Sequence, residues 1–218
     1  MKPTHRDTAL YLWLSVLALL GFYYFYRAVD YRFLHEGRLG PSLFNKQLWY
    51  VSHAALALPV VFGAPLQFIP RLRQKYPQLH RWIGRAYVFG ATGAAILAVY
   101  LGATTEYEES RLSIVITGLL WLFFTLAAWR CAVARNFQAH RAFMIRSYAL
   151  ALVLVWLRLM YDFQEELFFF VKNEVSREGT REWASWVITL LVVELWLSWL
   201  PQLRPKNAFK PPPRIGAT

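Results

Sequence analysis

Among 218 residues there is one cysteine, Cys131, so the chain can hold neither an internal disulfide nor a cysteine-based metal cluster. Cys131 falls near an expected helix end and is most simply a packing residue. Acids are scarce as well: 13 Asp and Glu stand against 24 Lys and Arg, a net charge of +11. That excess does not describe a nucleic-acid surface, because the cations sit between apolar runs rather than along one amphipathic face. It fits a positive-inside bias and contact with anionic lipid headgroups. Motifs of soluble catalysis are missing too. There is no H-E-x-x-H, P-loop, nucleophile elbow or dinucleotide fingerprint, which removes the usual support for hydrolase or nucleotide chemistry. The first apolar run lacks an A-x-A-like cleavage site and reads as a retained span.

What the sequence has in abundance is apolar and aromatic surface. Hydrophobic residues make up 57% of the chain and aromatic residues 17%, with ten Trp. A soluble domain of this size could not bury so much, so lipid is the expected solvent. A helix needs roughly 20 apolar residues to cross the hydrocarbon. Six runs meet or approach that length: Thr8–Tyr26, Leu48–Ile69, Trp82–Leu101, Leu112–Trp129, Ala142–Tyr161 and Trp183–Leu200. The segment Leu167–Val171 is too short to cross. It reads as an interfacial or re-entrant piece, or as an extension of the fifth helix. The expected fold class is an all-α integral membrane protein, a six-helix transmembrane bundle over residues 1–203. Pro201 and Pro211–Pro213 end the last helix and leave a basic, proline-rich tail at 204–218.

Loop charges orient this bundle. The N-terminus, second loop, fourth loop and tail hold thirteen cations and one acid, Asp7, whereas the first, third and fifth loops hold eight cations against eleven acids. The alternation predicts an even number of spans with both termini cytoplasmic, in the inner (cytoplasmic) membrane of a bacterium. Two near-copies of one pattern then share the cytoplasmic face. They are His80-Arg81-Trp82-Ile83-Gly84-Arg85-Ala86-Tyr87 and His140-Arg141-Ala142-Phe143-Met144-Ile145-Arg146-Ser147-Tyr148. Their offset predicts two parallel hairpin repeats, about 48–101 and 112–161, a layout that often places a site between its halves.

Ionisable groups inside a span are costly and usually pair or line a cavity. Arg85 and Arg146 count to roughly 5–8 Å inside the cytoplasmic face and Glu194 to about 9 Å. An ion pair between Glu194 and one of these arginines is therefore expected, either as helix glue or as part of a pocket for an anionic headgroup, a propionate or a quinone oxygen. His80 and His140 share a depth and are candidate axial ligands to one heme b, with Arg81, Arg85, Arg141 and Arg146 placed for its propionates. Other intramembrane polar residues are His53, Gln67, Tyr87, Tyr148, Arg158 and Glu194. His53 counts to one or two turns into helix two, level with Arg158, and His35 is the outer histidine that could join it. Pro59, Gly63 and Pro65 predict a kink in helix two.

Taken together, His53, Gly63, Gln67, Pro70, Arg73, the two His-Arg patterns and Arg158 resemble bacterial predicted membrane proteins grouped as domain of unknown function 2306, over about Leu48 to Tyr161. The resemblance implies a multi-pass membrane protein. The stretch His80–Arg85 is also similar to a helix entry in ferric-reductase-like and b561-type cytochromes, although Tyr87–Leu101 contains no histidine. The leading expectation is a small b-type-cytochrome-like protein that exchanges electrons with quinol or a larger redox complex. The alternatives are a non-redox accessory or assembly subunit, which packs on a larger membrane complex, and a small transporter built on His53, Arg158 and Glu194.

Overall fold

The computed structural model describes residues 5–29 and 41–203, without the side chains of 5–11, 13, 28–29 and 41–45. The tail at 204–218 and His35 lie outside the described residues. Helices are α1 (His5–Val29), α2 (Pro41–Gln67), α3 (Pro70–Lys75), α4 (Pro77–Ala103), α5 (Glu108–Val133), α6 (Phe137–Ala151), α7 (Val153–Asp162), α8 (Gln164–Leu167), α9 (Glu174–Glu194) and α10 (Leu200–Leu203). A π turn, Leu195–Trp199, joins α9 to α10.

Five of these segments are long and apolar enough to cross a membrane: Lys46–Gln67, Pro77–Ala103, Glu108–Val133, Phe137–Asp162 and Glu174–Leu203. In α1 the described apolar stretch, Leu14–Arg27, is shorter. The last turn of α1 meets the end of α7, where Arg27 Nη1 donates to Asp162 at 2.8 Å and Tyr24 Oη donates to the same carboxylate at 3.1 Å. Helices α4 and α5 run antiparallel, since Gly102 meets Ile114 while Gly118 meets Val99. The end where α4 and α6 begin carries Arg71, Arg73, Lys75, Arg81, Arg135 and Arg141, and is called the basic end below. The opposite, acidic end carries Glu106, Glu108, Glu109, Glu165 and Glu166.

Helix boundaries differ from the apolar runs for local reasons. The third span starts at Pro77 rather than Trp82, because proline at the first helical position gives up an N–H that would have had no partner. The fifth starts at Phe137 rather than Ala142, because the Asn136 side chain caps it by accepting from Ala139 N at 3.2 Å. Both His-Arg pairs are thus already helical. His80 N bonds Tyr76 O at 3.0 Å and His140 N bonds Asn136 O at 2.9 Å, the same first-turn bond in each helix. The last helix starts at Glu174, which brings Glu178, Arg181 and Glu182 into it.

Leu167–Val171 does not extend the fifth span, since that helix stops at Asp162. A single turn, α8, follows, and the segment is gripped from α9. Arg177 Nε donates to Val171 O at 3.0 Å, and the Arg181 guanidinium bonds Gln164 Oε1. Helix α2 runs unbroken through Pro59 and Pro65.

The core collects where α2, α4, α5 and α6 meet. Small residues of α4 let α2 approach its backbone. A Cβ built on Gly90 would lie 2.4 Å from Leu56 O, a contact no side chain can accept. Tyr87, Ala91, Ala94, Ala95, Ala128 and Val60 are essentially sealed from the surface.

Candidate functional site

Three hydroxyls cross the centre of the bundle. Tyr87 on α4 and Ser147 on α6 are hydrogen bonded at 2.9 Å, and Ser147 Oγ is 2.8 Å from Thr125 Oγ1 on α5. Thr125 in turn donates to Trp121 O at 2.8 Å. All three side chains are fully buried, so each finds its partner inside the protein, as a hydroxyl in a low-dielectric core must. Tyr87 and Ser147 occupy matching positions of the two patterns, 60 residues apart. Tyr148, one residue on, instead packs its ring 5.6 Å from Phe68. Ser147 and Thr125 stood out little in the sequence, because a single small hydroxyl hardly disturbs an apolar run. The equal spacing of Tyr87 and Ser147 was the one available clue.

Towards the basic end, Arg146 and Glu194 form a two-pronged ion pair. Arg146 Nε donates to Glu194 Oε1 at 2.5 Å and Nη2 donates to Oε2 at 2.9 Å. Ser198 Oγ donates to Oε2 at 2.8 Å from one turn further along. The arrangement keeps two exposures of 16% and 31% for the arginine and glutamate side chains, so it is open on one side. Glu194 also starts the π turn, in which Leu200 N–H reaches Leu195 O five residues back. Matching depths left two partners for Glu194. The structure brings it to Arg146. Arg85 stays exposed with its guanidinium 5.0 Å above the Trp82 ring.

His80 and His140 sit in the first turns of α4 and α6 and lie within electrostatic reach of each other, with Arg73 also close to His80. His140 Nδ1 is 2.9 Å from Ala128 O on α5. A carbonyl only accepts, so this nitrogen carries a proton, and in the neutral ring Nε2 keeps its lone pair free. His80 Nδ1 is buried and makes no hydrogen bond to the described residues. Gln67 Nε2 donates to His80 O at 3.1 Å and fixes the backbone there. Arg81 and Arg141 point outwards and are exposed.

The remaining predicted polar residues do not join this group. His53 lies about two turns into the span that begins at Lys46, in a helix that itself starts at Pro41. Its Nδ1 is 2.9 Å from Ala94 O, which ties α2 to α4 near mid-span. Arg158 is four residues from the end of α7, closer to the acidic end than His53, so the two are not level. Its buried Nε has no hydrogen bond, and Glu182 on α9 is within electrostatic reach. The Arg181 guanidinium stacks 4.9 Å over Tyr161. No cluster of three or more His, Cys, Asp or Glu that could hold a metal ion occurs among the described residues.

Comparison with known proteins agrees with the membrane reading. Ava biosynthesis cluster protein G of Aspergillus versicolor is 39% identical over 72 residues, which is 31% of this chain and 21% of that protein. The chain thus spans about a fifth of the length of that curated relative. No solved structure matches. A family model described as "Predicted membrane protein (DUF2306)" covers residues 50–197, well over half of the chain, and takes in both His-Arg patterns, the hydroxyl chain and the Arg146–Glu194 pair. The protein is a member of the DUF2306 family of predicted membrane proteins.

Proposed function

We propose that the protein is a b-type-cytochrome-like membrane component that holds one heme b between the first turns of α4 and α6 and exchanges electrons with quinol or a larger redox complex. The observation that carries this reading is the state of the two histidines. His140 has its Nδ1 proton committed to Ala128 O, which orients the ring and leaves Nε2 as a free donor of electrons to a metal. His80 Nδ1 is buried without a partner, at a cost of about 1–3 kcal/mol that a bound group would remove. Arg81, Arg85 and Arg141 lie at the same end of the bundle, exposed and without ion pairs among the described residues, and could turn towards the propionates. Arg146 is already held by Glu194 and adds little to them. A bound heme would supply one-electron storage. The chain's own residues would hold the two imidazoles and neutralise the anionic edge.

The test is an optical spectrum of protein purified from cells supplied with heme precursor. A Soret band with low-spin character is expected. His80→Ala and His140→Ala should each remove that character, and His53→Ala should leave it, since His53 bonds α4 far from the basic end. A folded, heme-free preparation that does not bind added hemin ends the proposal.

The accompanying orientation places the basic end and both termini in the cytoplasm of a bacterial inner membrane, in contact with anionic headgroups. Loop charge supports it. Reporter fusions at Asn136 and at Glu108 should read opposite sides, with Asn136 cytoplasmic. A cytoplasmic Glu108 would reverse the assignment. An accessory-subunit role is favoured by one feature, the aromatic flank of the last span, where Trp196 and Trp199 are 55% and 49% exposed. Recovery of a larger complex in mild detergent, from protein without heme, would give that role first place.

A further inference from the structure

The Arg146–Glu194–Ser198 cluster has hydrogen-bonding capacity left over, in a place where spare capacity is expensive. Three donors already converge on Glu194: Arg146 Nε on Oε1, and Arg146 Nη2 and Ser198 Oγ on Oε2. Oε1 retains an acceptor site, and Arg146 Nη1 makes no hydrogen bond among the described residues, so two N–H donors remain beside it. A pair made only to join α6 to α9 would be expected to close over itself inside lipid. Here the glutamate side chain is 31% exposed and the arginine 16%. The π turn starts at this carboxylate. Widening a helix by one residue per turn is unfavourable and concentrates at functional sites. The surroundings are aromatic: the Arg146 guanidinium lies 5.8 Å from the Phe143 ring, and Trp199 of the π turn is half exposed.

We propose that this cluster is the binding site for the head group of a quinone-class lipid, entering sideways from the bilayer. The charge balance selects the class. Arg146 is neutralised by Glu194, so a phosphate would meet the carboxylate with no net attraction. A neutral ring suits the pair better: its carbonyl accepts from Nη1, or its hydroxyl donates to Oε1. The ring rests between Phe143 and Trp199, and the apolar tail follows Leu191 and Leu195, both exposed on the same helix. The use of such a ligand in electron transfer rests on the redox reading above, whereas its binding does not require heme.

The experiment uses the full-length protein in nanodiscs with a photoreactive azido-quinone, followed by peptide mapping. Label should fall on the α6 peptide containing Phe143 and on the peptide spanning 195–199. Excess ubiquinone should displace it, and excess phosphatidylglycerol should not. Glu194→Gln and Ser198→Ala should weaken labelling, the first by about tenfold, which is one hydrogen bond of ~1.4 kcal/mol. Ser198→Ala keeps the ion pair and serves if Glu194→Gln fails to fold. Label at other sites, or equal displacement by phosphatidylglycerol, overturns the proposal. Specific label on heme-free protein keeps this site and removes the redox reading. A heme spectrum without specific label does the reverse.

Discussion

The entries to α4 and α6 start from nearly the same sequence and end in different roles. Each histidine makes the first backbone bond of its helix. Beyond that they part. His140 finds Ala128 O because α5 continues to Val133 beside it. The position 60 residues before Ala128 is Phe68, and α2 has already ended at Gln67, so His80 Nδ1 has no such carbonyl. Arg146 stands six residues after its histidine and Arg85 five, about 100° apart around their helices, and Arg146 meets Glu194 on α9 whereas Arg85 faces outwards over Trp82. One motif therefore yields a tied histidine with a paired arginine, and an untied histidine with a free one. Two things decide the role: the neighbouring helix, and the one-residue later place of the arginine in the second copy.

The largest test of this contrast is Glu194→Ala. It leaves Arg146 without its counter-charge and should cost about 3 kcal/mol, read as a lowered unfolding midpoint in mild detergent. Arg85→Ala should cost less than about 1 kcal/mol, the worth of an exposed cation–π contact. Equal losses would show that the two arginines are equivalent after all. Next comes the bond where the two patterns touch. Ser147→Ala takes the Ser147 partner from Tyr87 Oη, leaves Thr125 Oγ1 its bond to Trp121 O, and should cost about 1–2 kcal/mol. Tyr87→Phe should cost about 1 kcal/mol, and the double variant should fall short of the sum of the two. Full additivity in that cycle would mean the bond contributes nothing.

The helix starts differ on a smaller scale. Asn136→Ala removes a side-chain cap and should cost about 1 kcal/mol, while Pro77→Ala should change stability by about half that. The last effect is opposite in sign, a gain. Arg135, between α5 and α6, has φ 59°, a left-handed conformation in which glycine is at ease. Arg135→Gly should raise the midpoint by an amount worth up to about 1 kcal/mol. A loss would mean that the arginine side chain itself holds this turn.

Much of this arrangement was readable before any coordinates. Span positions follow from apolar length, and the shared depth of Arg146 and Glu194 follows from counting residues. Counting gives depth but not direction around the helix axis, so Arg85 and Arg146 were equal candidates until the packing of α9 separated them. Hydropathy also hides helix that is polar. The stretch before Leu48 reads as loop, yet α2 already starts at Pro41. Asn136 and Pro77 were visible as residues, but their reach as helix starts depends on one cap bond and one omitted donor.

The π turn has a consequence for the phase of the last helix. A regular α-helix advances about 100° per residue, so one additional residue in a turn rotates everything after it by about that angle relative to everything before it. Glu194 lies before the widened turn and Leu200–Leu203 after it. Removing one residue between Leu195 and Trp199 would restore an ordinary helix and leave the α6–Glu194 contact in register. It would also swing the final turn, and whatever follows it, to a different side of the bundle. The single wide turn thus sets two faces of one helix independently: one that meets α6, and one that aims the chain's exit.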